Sequence, residues 1–534
     1  MAQRKINQNL PVVSIVMILL MTLSGCLNMA SEEVVDEPIY LNPYLGEEVK
    51  RVFGSPDLQS FDDCDTLETA LKRTIEEETR TSLMQAVEEQ YYYWGGGWLE
   101  DDAEMAMDAS SASSESSGSS PPAKTRNEGT DYSGTNNQEQ GVDEADFVKT
   151  DGFHIYFLDS GVLQILDVPE FGEIEFASST SIEGSPTAMM LDGDNLVVIS
   201  SVYSWSLNAN DPLADRMGWG DDWYGWRTST LTKFTVFDVS NSSDPQISRE
   251  LYIEGYYMTA REVASTVRTV THTWMDIPDL QTWLQYPDGY WNLDYDDPNR
   301  RVLREQAAAA AISHNKEVLR SITLEDILPQ VHERVGDQII THHMSGEDCS
   351  DFAAPQYSFN RGFTSIFTID LMSEQLDFEA DHIVGNWPMV YASQDVLVIT
   401  ENSWDWWWFW GNDDYEDATN IHVFDISDPG STTYLASGRV LGTVQDQFSI
   451  SEHDGAIRVA STTDVWGRWW MTDQIDQETG PNSFSGPSNR VTILIPDESG
   501  NLAQAGLIDN IADGERIWSA RFIGDRGYLV TFEM

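Results

Sequence analysis

The stretch NNQEQGVDEADFVKTDG, Asn136 to Gly152, joins a low-complexity segment to the first of several strand patterns that recur along the rest of the chain. Beyond Gly141 a two-part unit repeats. Its first half is a turn signal rich in Asp and Gly followed by an apolar strand. It appears as Asp151-Gly152 before HIYFL, Asp192-Gly193-Asp194-Asn195 before LVVIS, Gln394-Asp395 before VLVIT, Asp454-Gly455 before AIRVA, and Gly524-Asp525-Arg526-Gly527 before YLVTF. The second half is a strand ending in an aspartate: LQILDV, FTVFDV, IFTIDL, IHVFDI and, degenerate, VTILIPD near Asp497. Short alternating strands with Asp, Gly and Asn turns, recurring at intervals that begin near about forty residues, fit four-stranded blades interrupted by insertions. The expected fold is mainly β, a β-propeller of four-stranded blades with a small helical accessory region. Asp167, Asp238, Asp370 and Asp425 are expected to accept hydrogen bonds at strand ends and fix the following turns. A shared catalytic role is disfavoured, because equivalent positions in different blades lie far apart around a ring.

Outward from the repeats, residues 256–356 turn partly helical, with an alanine run within Arg301 to Val318 and a second short helix from Ser321 to Gln330 closed by Pro329. Upstream, Asp65 followed by Glu68 resembles a capping box, and Leu67, Leu71, Ile75, Leu83 and Val87 recur near helical period, so an amphipathic helix is expected over Thr66 to Gln90. Tyr91-Tyr92-Tyr93-Trp94 and the glycines after it end it. ASSASSESSGSSPPAK, Ala109 to Lys124, has almost nothing to bury and reads as a linker. The resulting organisation is a signal segment over 1–26, a tether over 27–43, a helical and aromatic accessory region over 44–100, a Ser-rich linker over 101–135, and the propeller over 136–534.

Arg4 and Lys5, the apolar run from Val12 to Leu23 and then Leu23-Ser24-Gly25-Cys26 read as a lipoprotein signal peptide, with the Cys26 thiol as lipid acceptor. The alternative is an uncleaved anchor helix. Either way the body is expected at the outer face of the cell membrane. Cys64 and Cys349 then remain as an even pair in an oxidising compartment and are expected to form a disulfide, the alternative being two buried free thiols. Such a bond would make the N-terminal helix and the helical insertion one accessory layer.

Thirty Lys and Arg against 89 Asp and Glu give a net charge of −59, which repels nucleic acid and anionic lipid faces. The acidity fits either a surface kept hydrated in salty water or one that attracts cations.

Within the opening stretch Asp143, Glu144, Asp146 and Lys149 form the densest polar group. A cation site is conceivable there, but the favoured reading is that Val142, Ala145, Phe147 and Val148 pack while the charges cap and pair. Acidic loops at Asp294, Asp296 and Asp297 and at Asp413, Asp414, Glu416 and Asp417 leave weak room for calcium. No metal centre or other cofactor is expected. His342, His343 and His453 have no partners at catalytic or metal spacing, and GxSxG, HExxH and phosphate-cradling loops are absent.

Tryptophan is concentrated in three insertions: Trp219, Trp223 and Trp226; Trp404, Trp406, Trp407, Trp408 and Trp410; and Trp466, Trp469 and Trp470. Loops carrying so many rings either bury them mutually or present them to a partner, and the two readings stand level. Trp404, Trp406, Trp407, Trp408 and Trp410 are the candidate ligand-binding residues. Asn241-Ser242-Ser243 is an acceptor sequence for N-glycosylation.

Three stretches, GVDEADFVKTDG (141–152), FSISEHDGAIRVAST (448–462) and GERIWSARFIGDRGYLVTF (514–532), resemble a family of archaeal secreted C-terminal β-propellers distantly similar to WD40 repeats. Gly141, Asp143, Glu144, Asp146, Lys149, Asp151 and Gly152 carry its opening signature. The resemblance runs from about Cys64 onward and implies a propeller in an extracytoplasmic setting, with no catalytic residues to carry over. In that family the strand like YLVTF continues into further blade sequence, whereas here Glu533-Met534 follow, so an incomplete ring is expected. The functional expectation is a lipid-anchored binding or protein-interaction module for an unknown extracellular ligand or surface protein. The alternative is an extracytoplasmic, hydrolase-like enzyme with its site at the propeller channel, and a structural envelope role comes third.

Overall fold

The computed structural model describes strands at 39–42 and 47–50 and residues 55–87, 126, 132, 143–218, 227–263, 266–275, 277, 279–346, 349–355, 361–373, 375–402, 418–463 and 487–533. Two units separate, residues 1–53 and 54–534. In the first, β1 (Ile39–Asn42), lying wholly within the expected tether, pairs antiparallel with β2 (Glu47–Lys50). Cys26, the aromatic runs at 91–98, 219–226, 404–410 and 466–470, and the acidic run 413–417 lie outside the described residues.

The second unit opens with β3 (Leu58–Ser60) and α1 (Cys64–Val87). The helix starts two residues before the expected position because Asp63, not Asp65, caps it: Asp63 Oδ1 accepts from the Thr66 amide at 2.7 Å. Next come β4 (Asp143–Glu144) and a first sheet of β5 (Val148–Thr150), β6 (His154–Asp159), β7 (Val162–Asp167) and β8 (Glu175–Ser181). A second sheet follows: β9 (Ser185–Asp192), β10 (Asn195–Tyr203), then the short α2 (Pro212–Arg216), β11 (Thr230–Asp238) and β12 (Gln246–Glu254). The third begins with β13 (Tyr256–Val263) and β14 (Thr266–Trp274), so the insertion expected from residue 256 opens with blade strands. Its interior holds α3 (Pro298–Ser321), α4 (Leu324–Ile327), β15 (Gln330–Val335), β16 (Gln338–His343) and β17 (Phe352–Pro355). The sheet resumes with β18 (Gly362–Asp370) and β19 (Asp377–Gly385). A fourth sheet is β20 (Pro388–Ala392), β21 (Val396–Asn402), β22 (Ala418–Asp425) and β23 (Thr433–Leu441); a fifth is β24 (Ile450–His453), β25 (Ala456–Thr463), β26 (Ser488–Pro496) and β27 (Leu502–Ile511). In a sixth, β28 (Glu515–Ile523) and β29 (Arg526–Glu533) pair with each other.

The five four-strand sets are antiparallel meanders in sequence order, and the sheets stack face to face. Strand alternation explains the stacking. In β10, Leu196 and Val198 join Tyr156, Leu163 and Ile165 of the first sheet, while Val197 and Ile199 join Val267, Phe363 and Phe367 of the third. Similar clusters link the third sheet to the fourth, the fourth to the fifth and the fifth to the sixth. Each buried Val, Ile or Phe contributes about 1.5–3 kcal/mol. A central blade strand therefore has no polar face toward water: β11 and β18 are buried at every residue except their final aspartates.

First strands form the inner edge and fourth strands the outer. The signature segment decides the first point. Its β4 pairs with β13, Asp146 bridges to Met189 in β9 through both backbone bonds, and the chain then becomes β5. One strap thus joins the inner strands of three consecutive sheets. Outside, β15 and β16 extend the second sheet beyond β12, and β17 with β3 extend the third beyond β19.

The disulfide between Cys64 and Cys349 is present. It ties α1 to the insertion, and the two form one layer. Lys72 donates to the Ile322 carbonyl at 2.7 Å, Arg304 to the Val87 carbonyl at 2.7 Å, and Leu67, Leu71 and Ile75 enter the core shared by the second and third sheets. Asp297 caps α3 through the Asn299 amide at 2.9 Å, with Pro298 at the first helical position.

Candidate binding face

Antiparallel meanders joined by short fourth-to-first connections leave the molecule with two unlike faces. At one, first-to-second and third-to-fourth turns emerge. At the other, second-to-third connections emerge beside the short links between sheets.

The first is a face of tight turns. Asp238 accepts from the Ser240 amide at 3.0 Å, Asp370 from Met372 and Ser373 at 3.0 Å, and Asp425 from Ser427 at 2.8 Å, as their position in the repeat predicts. The Ser427 hydroxyl and then the Ser427 amide, both donating to Asp425, hold its carboxyl below the ordinary range. Asp167 departs from the pattern and lies 3.7 Å from His154 Nε2. A different turn of that sheet, between β5 and β6, is held by Asp151, whose Oδ1 accepts from Phe153 and His154 at 2.7 and 2.6 Å. The Asp151 hydrogen bond to Nδ1 raises the pKa of His154. Asn241 is exposed in the turn between β11 and β12.

Arginines stitch neighbouring turns together. Arg249 donates to Leu371 and Ser373 carbonyls at 2.7 and 2.8 Å, and Arg268 to those of Asp428 and Ser431 at 2.9 and 2.8 Å. A hollow between the third and fourth sheets, lined in part by Arg261, Arg268, Leu397 and Ile426, lies at this end, and the Arg268 guanidinium already serves the turn beside it.

The opposite face carries the insertions, each with a buried polar latch at its base. For β10–β11, Arg227 pairs with Glu254 at 2.7 Å and donates to the Glu325 carbonyl at 2.9 Å; Glu254 also accepts from the Gln330 amide at 3.0 Å and lies 3.4 Å from His332 Nε2. For β21–β22, Glu401 accepts from the Asn386 amide at 2.8 Å and from Asn420 at 3.4 Å, with His422 Nε2 3.8 Å away. For β25–β26, Thr462 donates to Asn489 at 2.7 Å. At the β14–β18 insertion the latch is His272, fully buried, with Nδ1 3.1 Å from Thr364 Oγ1. Burial pulls the His272 pKa down to about 3, so the ring is neutral.

Above His272 stand aromatic rings that no linear pattern revealed. Trp274 meets the imidazole edge-on at 4.8 Å, Trp387 meets it at 5.1 Å, and Tyr256 meets Trp387 at 5.7 Å. Trp274 and Trp387 are 41% and 46% exposed. The Tyr256 hydroxyl lies 3.1 Å from that of exposed Ser229. On the neighbouring sheet Trp205 stacks on Tyr203 at 5.3 Å and is 61% exposed.

The signature residues belong to the strap. Packing there differs from expectation: Lys149 is 4% exposed whereas Phe147 and Val148 are 39% and 51% exposed. The period of two along β5 turns Lys149 inward and its neighbour Val148 outward. Gly152 has a positive φ of 85°, which suits the first turn of the repeat. His342 and His343 lie on β16, with His343 against Glu325 at 2.5 Å, and His453 lies 3.1 Å from Asp525. Among the described residues no group of three or more His, Cys, Asp or Glu side chains is arranged to hold a metal ion, and no helix is long and apolar enough to cross a membrane.

An uncharacterized protein of Methanocaldococcus jannaschii is 22% identical over 442 residues, covering 77% of this chain and 59% of that protein. The chain thus spans about three fifths of that curated relative's length. A solved structure described as a hypothetical selenium-binding protein from Sulfolobus tokodaii is 10% identical and covers 69% of this chain and 92% of that one, with a TM-score of 0.16, too low to support an argument. The family model for the Beta propeller domain matches residues 132–534. Matched over most of its length and built of four-strand antiparallel sheets packed against their neighbours, the chain belongs to the Beta propeller domain family.

Proposed function

We propose that this propeller is a binding or protein-interaction module, held at the outer face of the cell membrane through a lipid on Cys26, which receives an extracellular ligand on its insertion face. One observation carries the reading. The tryptophan-rich segments 219–226, 404–410 and 466–470 each connect a second strand to a third, so their chain ends converge on the face that also bears Trp274 and Trp387. Loops that add large rings to one face, on a scaffold whose other face is closed by short turns, concentrate desolvation energy where a partner docks. Trp404, Trp406, Trp407, Trp408 and Trp410 are the proposed anchors from the fourth sheet.

The test is array binding of the full ectodomain to glycans, peptides and surface proteins, with Trp407→Ala and Trp408→Ala beside wild type. Loss of binding at unchanged thermal stability is expected. Lower stability with unchanged binding would remove these rings from recognition. For the anchor, Cys26→Ser is expected to move the protein from the membrane fraction to the soluble fraction, and continued membrane retention would reject the lipid.

A further inference from the structure

We propose that Trp274 and Trp387, standing on His272, form a stacking platform for a neutral, hydroxyl-rich sugar ring. This names the ligand class for the insertion face and so rests on the proposed binding function.

The rings are held rather than loose. His272 sits between them, at 4.8 Å from Trp274 and 5.1 Å from Trp387, and is itself fixed by Thr364. Its ring also lies where a Cβ on Gly362 would fall, 2.5 Å from Cε1, so only glycine at that site leaves room for the imidazole. Tyr256 supports Trp387 from the side. Two indoles of fixed orientation remain about half exposed. A rigid ring loses little conformational entropy on binding, which makes it an efficient contact.

The surrounding chemistry selects the occupant. The ionic groups at the base of the platform are matched within the protein: Arg227 with Glu254 at 2.7 Å, and Arg361 with Glu78 at 2.8 Å. Glu401, beneath Trp387, is 6% exposed and accepts from the Asn386 amide. Of the described carboxylates at this site, Glu254 and Glu401 are 3% and 6% exposed and offer a cationic peptide little surface, and an anionic ligand would meet the field of a chain at −59. The polar groups displayed are the hydroxyls of Ser229 and Tyr256. Apolar faces edged by neutral hydroxyls match a pyranose ring, whose C–H face stacks on an indole while its rim exchanges hydrogen bonds.

The experiment uses the full ectodomain in titrations with neutral hexose and N-acetylhexosamine oligosaccharides, sialylated and sulfated counterparts, and Lys-rich peptides. Wild type is expected to bind the neutral oligosaccharides in preference. Trp387→Ala and Trp274→Ala are each expected to weaken that binding by about tenfold or more, with Trp387→Tyr recovering part of it and Trp205→Ala changing it little. Thermal unfolding of each variant checks that the fold survives. Equal binding by wild type and both platform variants, or preference for the charged probes, would overturn the proposal. Sugar binding lost in Trp407→Ala but untouched in Trp274→Ala and Trp387→Ala would overturn it while leaving the proposed function standing. A wild type that binds nothing on any array would overturn both.

Discussion

His272 and Glu401 occupy the same register position in adjacent sheets. Each lies opposite the first residue of its inner strand, Tyr256 or Pro388, and opposite the third residue of its third strand, Thr364 or Asn420. One sheet fills the place with a neutral imidazole, the next with a carboxylate, and each group presses on a glycine. Gly362 and Gly385 are themselves cross-strand partners.

That crowding yields a first prediction. A Cβ on Gly385 would collide with the Glu401 carboxylate, which the Asn386 amide and Asn420 hold in place. Gly385→Ala is expected to cost about 1–3 kcal/mol, as overpacking of a filled site does. Equilibrium urea unfolding measures it, and an unchanged midpoint would show that Glu401 moves freely.

The disulfide closes a loop across 285 positions. Long loops lose much chain entropy in the unfolded state, so reduction or Cys349→Ser is expected to lower stability by about 3–5 kcal/mol. Thermal unfolding with and without reductant checks this, and identical transitions would contradict it.

Arg268 is 6% exposed and spends its guanidinium on the carbonyls of the 426–431 turn. Removing it strands those acceptors between two sheets. Arg268→Met is expected to cost about 2–4 kcal/mol and to speed amide exchange in that turn first. Uniform exchange changes across the fourth sheet, with none favouring the turn, would argue against the stitch.

Asp381 supplies a pH dependence. Burial, then Glu379 and Asp351, push its carboxyl up from 3.8 to about 7. The folded chain therefore holds the proton more tightly than the unfolded one. The associated stability is full below about pH 4 and is lost as pH rises through about 7. Asp381→Asn, neutral throughout, is expected to be more stable than wild type by about 1–3 kcal/mol at pH 8 and nearly equal to it near pH 4. Melting curves that stay parallel at every pH would exclude the effect.

How much of this was legible depended on burial. Second and third strands such as LVVIS and FTVFDV lie between neighbouring sheets, read as continuous apolar runs and carry Asp-Gly turns, so five of each stood out. Fourth strands did not, because their leading residues face water: Gln246, Ile247 and Ser248 open β12 exposed. β14 was hidden twice, since Ala264-Ser265 is no turn signal and its buried interior includes Arg268 and His272. The β15–β16 hairpin was masked by the helices around it. The platform left no linear trace at all, because Trp274 and Trp387 are solitary tryptophans, far apart in the chain, that each reach the His272 ring only through sheet register and a one-sided link between blades.

The Cys64–Cys349 bridge spans the Ser-rich stretch at 109–124. A protease that cut there would nick the polypeptide without releasing the propeller, since the amino-terminal fragment would stay covalently attached. With the anchor proposed on Cys26, release of the propeller would need either cleavage between Cys26 and Cys64 or a reductant acting together with the nick.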